Sequence, residues 1–186
     1  PDEGNGWNFT ALRDINFYLQ YSHNCTEVNV RNRYDGVARF FRAYFYFEKV
    51  KRYGDIPWYD KALDSDDPEL YKARDSREFV MQKMLEDLDF AIANLPKTKN
   101  AYVLTRWTAL ALKSRVCLFE GTFRKYHGLE DYEKYLNACV SASETFMNES
   151  GYTLYKSGST PYRDLFASIN LQADEVIFGR DYEASL

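Results

Sequence analysis

Few groups in this 186-residue chain combine residue type and spacing in a way that could do chemistry. The acidic run Asp64-Ser65-Asp66-Asp67-Pro68-Glu69 comes nearest, since closely spaced carboxylates can hold calcium. It lacks the EF-hand order of ligands, with a central Gly and a distant Glu, and is expected to be a solvated loop. Cys25, Cys117 and Cys139 form no CxxC pair and have no His at ligand spacing, which argues against zinc. Their odd number argues against a full disulfide framework and leaves open whether two of them pair. Cys117 and Cys139 fall on apolar helix faces, where a free thiol acts as a small hydrophobe. His23 and His127 have no nucleophile motif beside them, and no Asp/Glu pair lies in an apolar motif that would drive two pKa values apart. The chain is therefore expected to be no enzyme, with no metal and no cofactor. Three sequons, at Asn8, Asn24 and Asn148, would matter only in a eukaryotic secretory route.

Aromatic residues are the unusual feature of the composition. With 16 Tyr, 13 Phe and 3 Trp the chain carries more rings than an average core needs, so some are expected on a contact or ligand surface. A net charge of -4 and a pI near 5.3 supply no phosphate-neutralising field, and nucleic acid is not an expected partner. No apolar run is long enough to cross a bilayer. The opening, Pro1-Asp2-Glu3-Gly4-Asn5-Gly6, has neither an initiator Met nor a signal pattern, and residues 174–178 look like the start of a strand near the end of the chain. Both features suggest a piece of a longer protein.

The elements that would position any site are helices. The central one begins near Tyr34, carries Phe40, Phe41, Tyr44, Phe45 and Phe47 on more than one stripe, and must be covered on several sides. Lys51 and Arg52 suit its negative end, Gly54 can take the left-handed conformation, and Pro57 forbids continuation. A first helix is expected over 7–21 and a third from an N-cap at Asp75 or Ser76 to Leu95. A fourth spans 105–124, with Trp107 and Leu118 on one packed face, and a fifth spans 131–148, with Tyr132, Leu136, Cys139, Val140, Ser143 and Met147 turned inward. Two successive helix-loop-helix units suggest tetratricopeptide-like hairpins in an all-α, α-solenoid-like core with long loops and a short strand near the C-terminus. A single helical domain over 1–186 is expected, with parts at 7–58, 75–150 and 151–186.

Several stretches in order resemble the SusD / RagB family of outer-membrane nutrient-binding lipoproteins. They are the helix 36–47 (GVARFFRAYFYF), the turn 52–57 (RYGDIP), the helix end 87–96 (DLDFAIANLP) and the helix 109–116 (ALALKSRV). Segments 150–155, 162–166 and 175–178 resemble the family's closing signature, while Val37 departs from its usual Glu. The resemblance implies the helical middle of the first half of a protein about three times longer. It also implies a surface protein that captures glycans or other large nutrients, closes over a SusC-like TonB-dependent transporter, and is held at the outer membrane by a lipid anchor outside this chain.

Sugars are gripped by aromatic faces beside planar polar groups, so Trp7 with Asn8, and second Trp58 with Tyr59, are the candidate ligand residues. Either tryptophan could instead be tucked against the helices, and Trp107 is assigned to the core. Arg39, Arg42, Arg115 and Asp55 are expected to be structural, the guanidinium groups pairing with carboxylates or helix-end carbonyls between packed helices; Gly54 and Pro57 shape the turn. Two readings of function follow: nutrient capture, and a helical-repeat scaffold that binds only protein.

Overall fold

The computed structural model describes residues 6–180. Six α-helices occupy the described residues: α1 (Thr10–Tyr21), α2 (Val28–Tyr53), α3 (Arg77–Asn94), α4 (Arg106–Tyr126), α5 (Tyr132–Glu149) and α6 (Pro161–Ala167). Short 3₁₀ turns lie at Ser22–Asn24 and Pro68–Tyr71. The chain divides into two compact units, Pro1–Asn94 and Leu95–Leu186.

In the first unit α2 is the spine. Gly36, Phe40, Ala43, Phe47 and Val50 recur at three- and four-residue spacing and are buried, and Ala38, Arg42 and Tyr46 form a second buried stripe beside them. Two inward stripes let α2 pack on both α1 and α3. From α3 come Val80, Met81, Met84, Leu88 and Ala91, all fully buried, while α1 contributes Leu12 and Asn16. Gly54 ends α2 at φ 70°, its N–H bonded to the Val50 carbonyl at 3.0 Å, a conformation that costs glycine little.

The loop that follows returns to its starting point before α3 begins. Ile56 N–H bonds the Asp75 carbonyl at 3.1 Å, Asp55 Oδ1 accepts the Arg77 N–H at 2.8 Å, and Ser76 Oγ accepts the Phe79 N–H at 3.3 Å as the cap of α3. The acidic run is part of this loop: Asp67 caps the turn Pro68–Tyr71 through the Glu69 N–H at 2.9 Å.

In the second unit α4 pairs with α5. Thr105 and Thr108 form a reciprocal cap at the start of α4, and the Trp107 indole, buried, donates to the Lys97 carbonyl at 2.5 Å. Close approach of the helices is set by Gly121, where a Cβ would stand 2.7 Å from Leu136 Cδ2 and 3.1 Å from the Leu136 backbone nitrogen. Arg124, buried, pairs with Glu120 at 2.8 Å, donates to the Glu130 carbonyl and lies over the Tyr135 ring.

Four expectations need correcting. No strand occurs among the described residues: 173–175 form a turn, and 174–178 hold to the rest of the unit through single bonds such as Thr153 N–H to the Asp174 carbonyl at 2.9 Å, too few for a ladder. On α5 the buried positions are Tyr135 and Ala142, whereas Val140 and Met147 are exposed, because the helix is turned to put Tyr135 beneath Arg124 and Leu136 against Gly121. Leu118 of α4 is likewise exposed. Arg115 is exposed on α4 rather than held between helices; the buried guanidinium of that helix is Arg124. The three cysteines are free thiols, with Cys117 buried.

Candidate ligand-binding groove

A polar chain of contacts runs through the first unit and ends at the loop. Arg42 on α2 forks onto Asp87 of α3, Nε to Oδ2 at 2.6 Å and Nη2 to Oδ1 at 2.8 Å, with both side chains buried. Its Nη1 donates to Asn16 Oδ1 of α1 at 3.2 Å. The Asn16 amide nitrogen in turn donates to the carbonyls of Tyr59 at 2.8 Å and Lys61 at 3.3 Å. Trp58 lies in the same core, stacked on Tyr46 at 4.3 Å with the Arg42 guanidinium 5.1 Å from its ring. The Tyr46 hydroxyl accepts the Tyr59 N–H at 2.6 Å and donates to the Pro57 carbonyl at 3.3 Å. Burial pushes that phenol well above its ordinary value, so it stays neutral and can serve both bonds. These contacts give residues 57–61 fixed positions although no helix or strand holds them.

Between this loop and the start of α1 lies a groove of about 540 Å³. Phe9, Leu12, Pro57, Leu63 and Leu70 supply an apolar lining. Trp7 and Tyr59 add larger rings, joined through Phe9 by edge-to-face contacts at 5.3 and 5.9 Å. Trp7 is half-buried, its edge also on Tyr53 at 4.9 Å and the Arg74 guanidinium 5.0 Å from its ring centre. Among the described residues four cations, Arg13, Lys61, Lys72 and Arg74, share the walls with a single carboxylate, Asp14. Lys72 donates to the Trp58 carbonyl at 2.7 Å, pairs with Asp75 at 2.9 Å and lies over the Tyr59 ring. Partial burial alone would raise the Asp75 pKa, yet Lys72 and the Trp58 N–H together hold it below the usual carboxylate range.

The four residues proposed from sequence are not all brought together. Trp7 and Tyr59 line the groove. Asn8 is exposed and spends its side-chain oxygen on the Thr10 N–H at 2.8 Å, at the entry to α1. Trp58 is only 5% exposed and offers no face to a sugar, which corrects its assignment: its flat ring is the partner that Tyr46 and Arg42 need in the core. Phe9, Arg13, Leu63, Lys72 and Arg74 also line the groove, and the sequence reading does not single them out. Part of that signal was available, because Phe9 and Arg13 lie one helical turn apart beside Trp7. The part from the loop after Trp58 was not, since no periodicity governs it.

A second cavity, about 580 Å³, shares Lys61 and is walled by Asp35, Arg39, Arg42, Asp60 and Asp67. Among the described residues it has no aromatic lining on which a sugar face could rest. Among the described residues Asp35 Oδ1 and Arg39 Nε are buried there without a hydrogen-bond partner, although Arg39 lies 4.1 Å from the Phe90 ring centre and 3.8 Å from Asp87.

Residues 5–106 match the SusD-like family described as starch-binding and associating with the outer membrane. A SusD-like protein of Formosa agariphila is 26% identical over 134 residues, 72% of this chain and 24% of that protein. The crystal structure of a SusD-like protein from Bacteroides fragilis superposes with a TM-score of 0.75 at 26% identity, over 93% of this chain and 32% of that one. A third protein, crystallised with a xylogluco-oligosaccharide, shares the fold at TM-score 0.67 and 22% identity over 85% of this chain and 30% of its own. The chain thus spans about a quarter to a third of the length of these relatives. The match over more than half of its residues, together with the shared helical fold, means that the chain belongs to the SusD-like family.

Proposed function

We propose that this chain forms part of the ligand surface of a non-enzymatic glycan-binding protein, held at the outer-membrane surface by a lipid anchor and delivering its ligand to a SusC-like TonB-dependent transporter. The observation that carries the reading is the groove beside α1, which sets Trp7, Phe9 and Tyr59 around a space of about 540 Å³ with polar groups on its walls. Rings of this kind accept the apolar C–H face of a pyranose while neighbouring donors take its hydroxyls. Asp14 is the groove's single carboxylate among the described residues, whereas glycoside hydrolysis ordinarily uses a pair flanking the bond, so binding without cleavage suits these walls better.

Calorimetric titration of the intact protein with a panel of oligosaccharides tests capture. At least one sugar is expected to bind saturably, and Trp7→Ala is expected to weaken it about fivefold, the loss of one stacking ring. If every oligosaccharide fails, glycan capture is wrong. Delivery is checked separately by purifying the tagged protein from outer membranes, where a TonB-dependent transporter should accompany it.

A further inference from the structure

We infer that the groove selects acidic sugars, Arg74 and Arg13 taking a carboxylate or sulfate group while Trp7 carries the sugar face; this rests on the glycan reading above. Of the four cations in the walls, two are already spent. Lys61 pairs with Asp67 at 3.5 Å and Glu69 at 3.0 Å, and Lys72 pairs with Asp75 at 2.9 Å. Among the described residues neither Arg13 nor Arg74 has a carboxylate partner. Arg13 uses only Nε, on the Leu63 carbonyl at 3.4 Å. Arg74 lies against Trp7, and among the described residues its in-plane donors have no partner.

Donor type decides between a neutral and an acidic ligand. A sugar hydroxyl both donates and accepts, so neutral sugars are best served by amides and carboxylates, which can take the hydroxyl proton. The buried amide at this site, Asn16, is engaged with Arg42 and the loop carbonyls, which among the described residues leaves Asp14 and the Thr10 and Tyr59 hydroxyls as side-chain acceptors. Guanidinium groups only donate, and their fork fits a group that only accepts, a carboxylate or a sulfate ester. Two such forks beside an aromatic platform, in a chain whose net charge is -4, are a local feature and not a general basic surface.

The test titrates the intact protein with hexagalacturonate, a sulfated carrageenan hexasaccharide, maltohexaose and a xyloglucan oligosaccharide. One of the two acidic probes is expected to bind about tenfold more tightly than either neutral one at low salt, with the advantage shrinking as salt rises. Which acidic probe wins tells carboxylate from sulfate. The double variant Arg13→Ala/Arg74→Ala should lose the advantage with its unfolding midpoint unchanged, both side chains being exposed. Arg74→Lys, which keeps the charge but loses the fork, should retain part of it. Equal affinities, or a preference that survives the double variant, overturn the inference and leave capture standing. Failure of all four probes also overturns the inference, while capture is judged separately by the wider oligosaccharide panel above.

Discussion

Replacing Arg42 by alanine should remove most of the stability of the first unit. The guanidinium makes two short bonds to Asp87, and the two side chains are 8% and 3% exposed, so the carboxylate cannot recover its hydration when its partner is gone. Breaking one side of a buried pair costs about 3–5 kcal/mol. Loss of the bond to Asn16 and of the contact with the Trp58 ring adds to the same defect, and about 4–5 kcal/mol is a fair total. A small domain holds only about 5–15 kcal/mol, so the unit should be near its unfolding threshold. Removing both charges tells a different story. In Arg42→Met/Asp87→Leu the buried pair is gone, the groups left without a partner are Asn16 Oδ1 and the half-exposed Arg39, which loses its contact with Asp87, and the cost should fall to about 1–3 kcal/mol. Urea unfolding followed by circular dichroism gives both numbers, and the double variant should be the more stable of the two. A cost below about 1 kcal/mol for Arg42→Ala, or a double variant no better than the single, would refute the account of this pair.

Asn16→Ala strips the Tyr59 and Lys61 carbonyls of their donor and should cost about 1–3 kcal/mol by urea unfolding, with faster amide exchange in 57–63. Asp55→Ala removes the partner of the Arg77 N–H at the start of α3, worth about 0.5–2 kcal/mol in the same assay, and should leave the groove rim intact. Tyr18, raised to about 12 by partial burial and by the neighbouring Asp35, keeps its proton between pH 10 and 12 when folded and loses it when unfolded. The unfolded state binds fewer protons in that window, so stability falls as pH rises through it; in spectrophotometric titration Tyr18→Phe should lose a tyrosine step near pH 12, while the still later titration of buried Tyr46 remains.

What was legible in the sequence was whatever periodicity and punctuation control. The α2 stripe, its glycine stop at Gly54, the α3 cap and the all-α hairpins follow from spacing of three and four, a left-handed residue and a side-chain acceptor placed before a helix. Helical phase was less secure. On α5 the stripe through Leu136, Val140 and Met147 has helical spacing just as the observed one through Tyr135 and Ala142 does; Leu136 meets Gly121 in either case, and it is Arg124 of α4, lying over the Tyr135 ring, that marks the side turned in. The groove was the least legible part. Trp58 and Tyr59 are adjacent, yet one is core and the other lines the groove, because the choice is made by Tyr46 and Asn16 from two different helices. Asn16 itself looks like any polar residue on an amphipathic helix until Arg42 and the loop carbonyls are placed around it.

The division of labour in the loop has a functional consequence. About twenty residues without a strand or long helix would ordinarily cost a ligand much ordering entropy on binding. Here that ordering is supplied in advance by the closure at Ile56 and Asp75 and by the contacts of Asn16, Tyr46 and Lys72 with residues 57–61. A ligand meets a wall already in position, and its affinity reports contacts more than folding. Arg13 and Arg74 stand outside that framework: both are exposed, and neither joins the Asn16–Arg42–Asp87 chain. Framework and rim should therefore separate in experiment. Asn16→Ala should weaken every sugar by a similar factor, because it loosens the wall itself, whereas Arg74→Ala should act only on ligands that carry an anion. If Asn16→Ala changed selectivity and Arg74→Ala lowered all affinities alike, the wall and the rim would not be independent, and the loop would have to be ordered by the ligand after all.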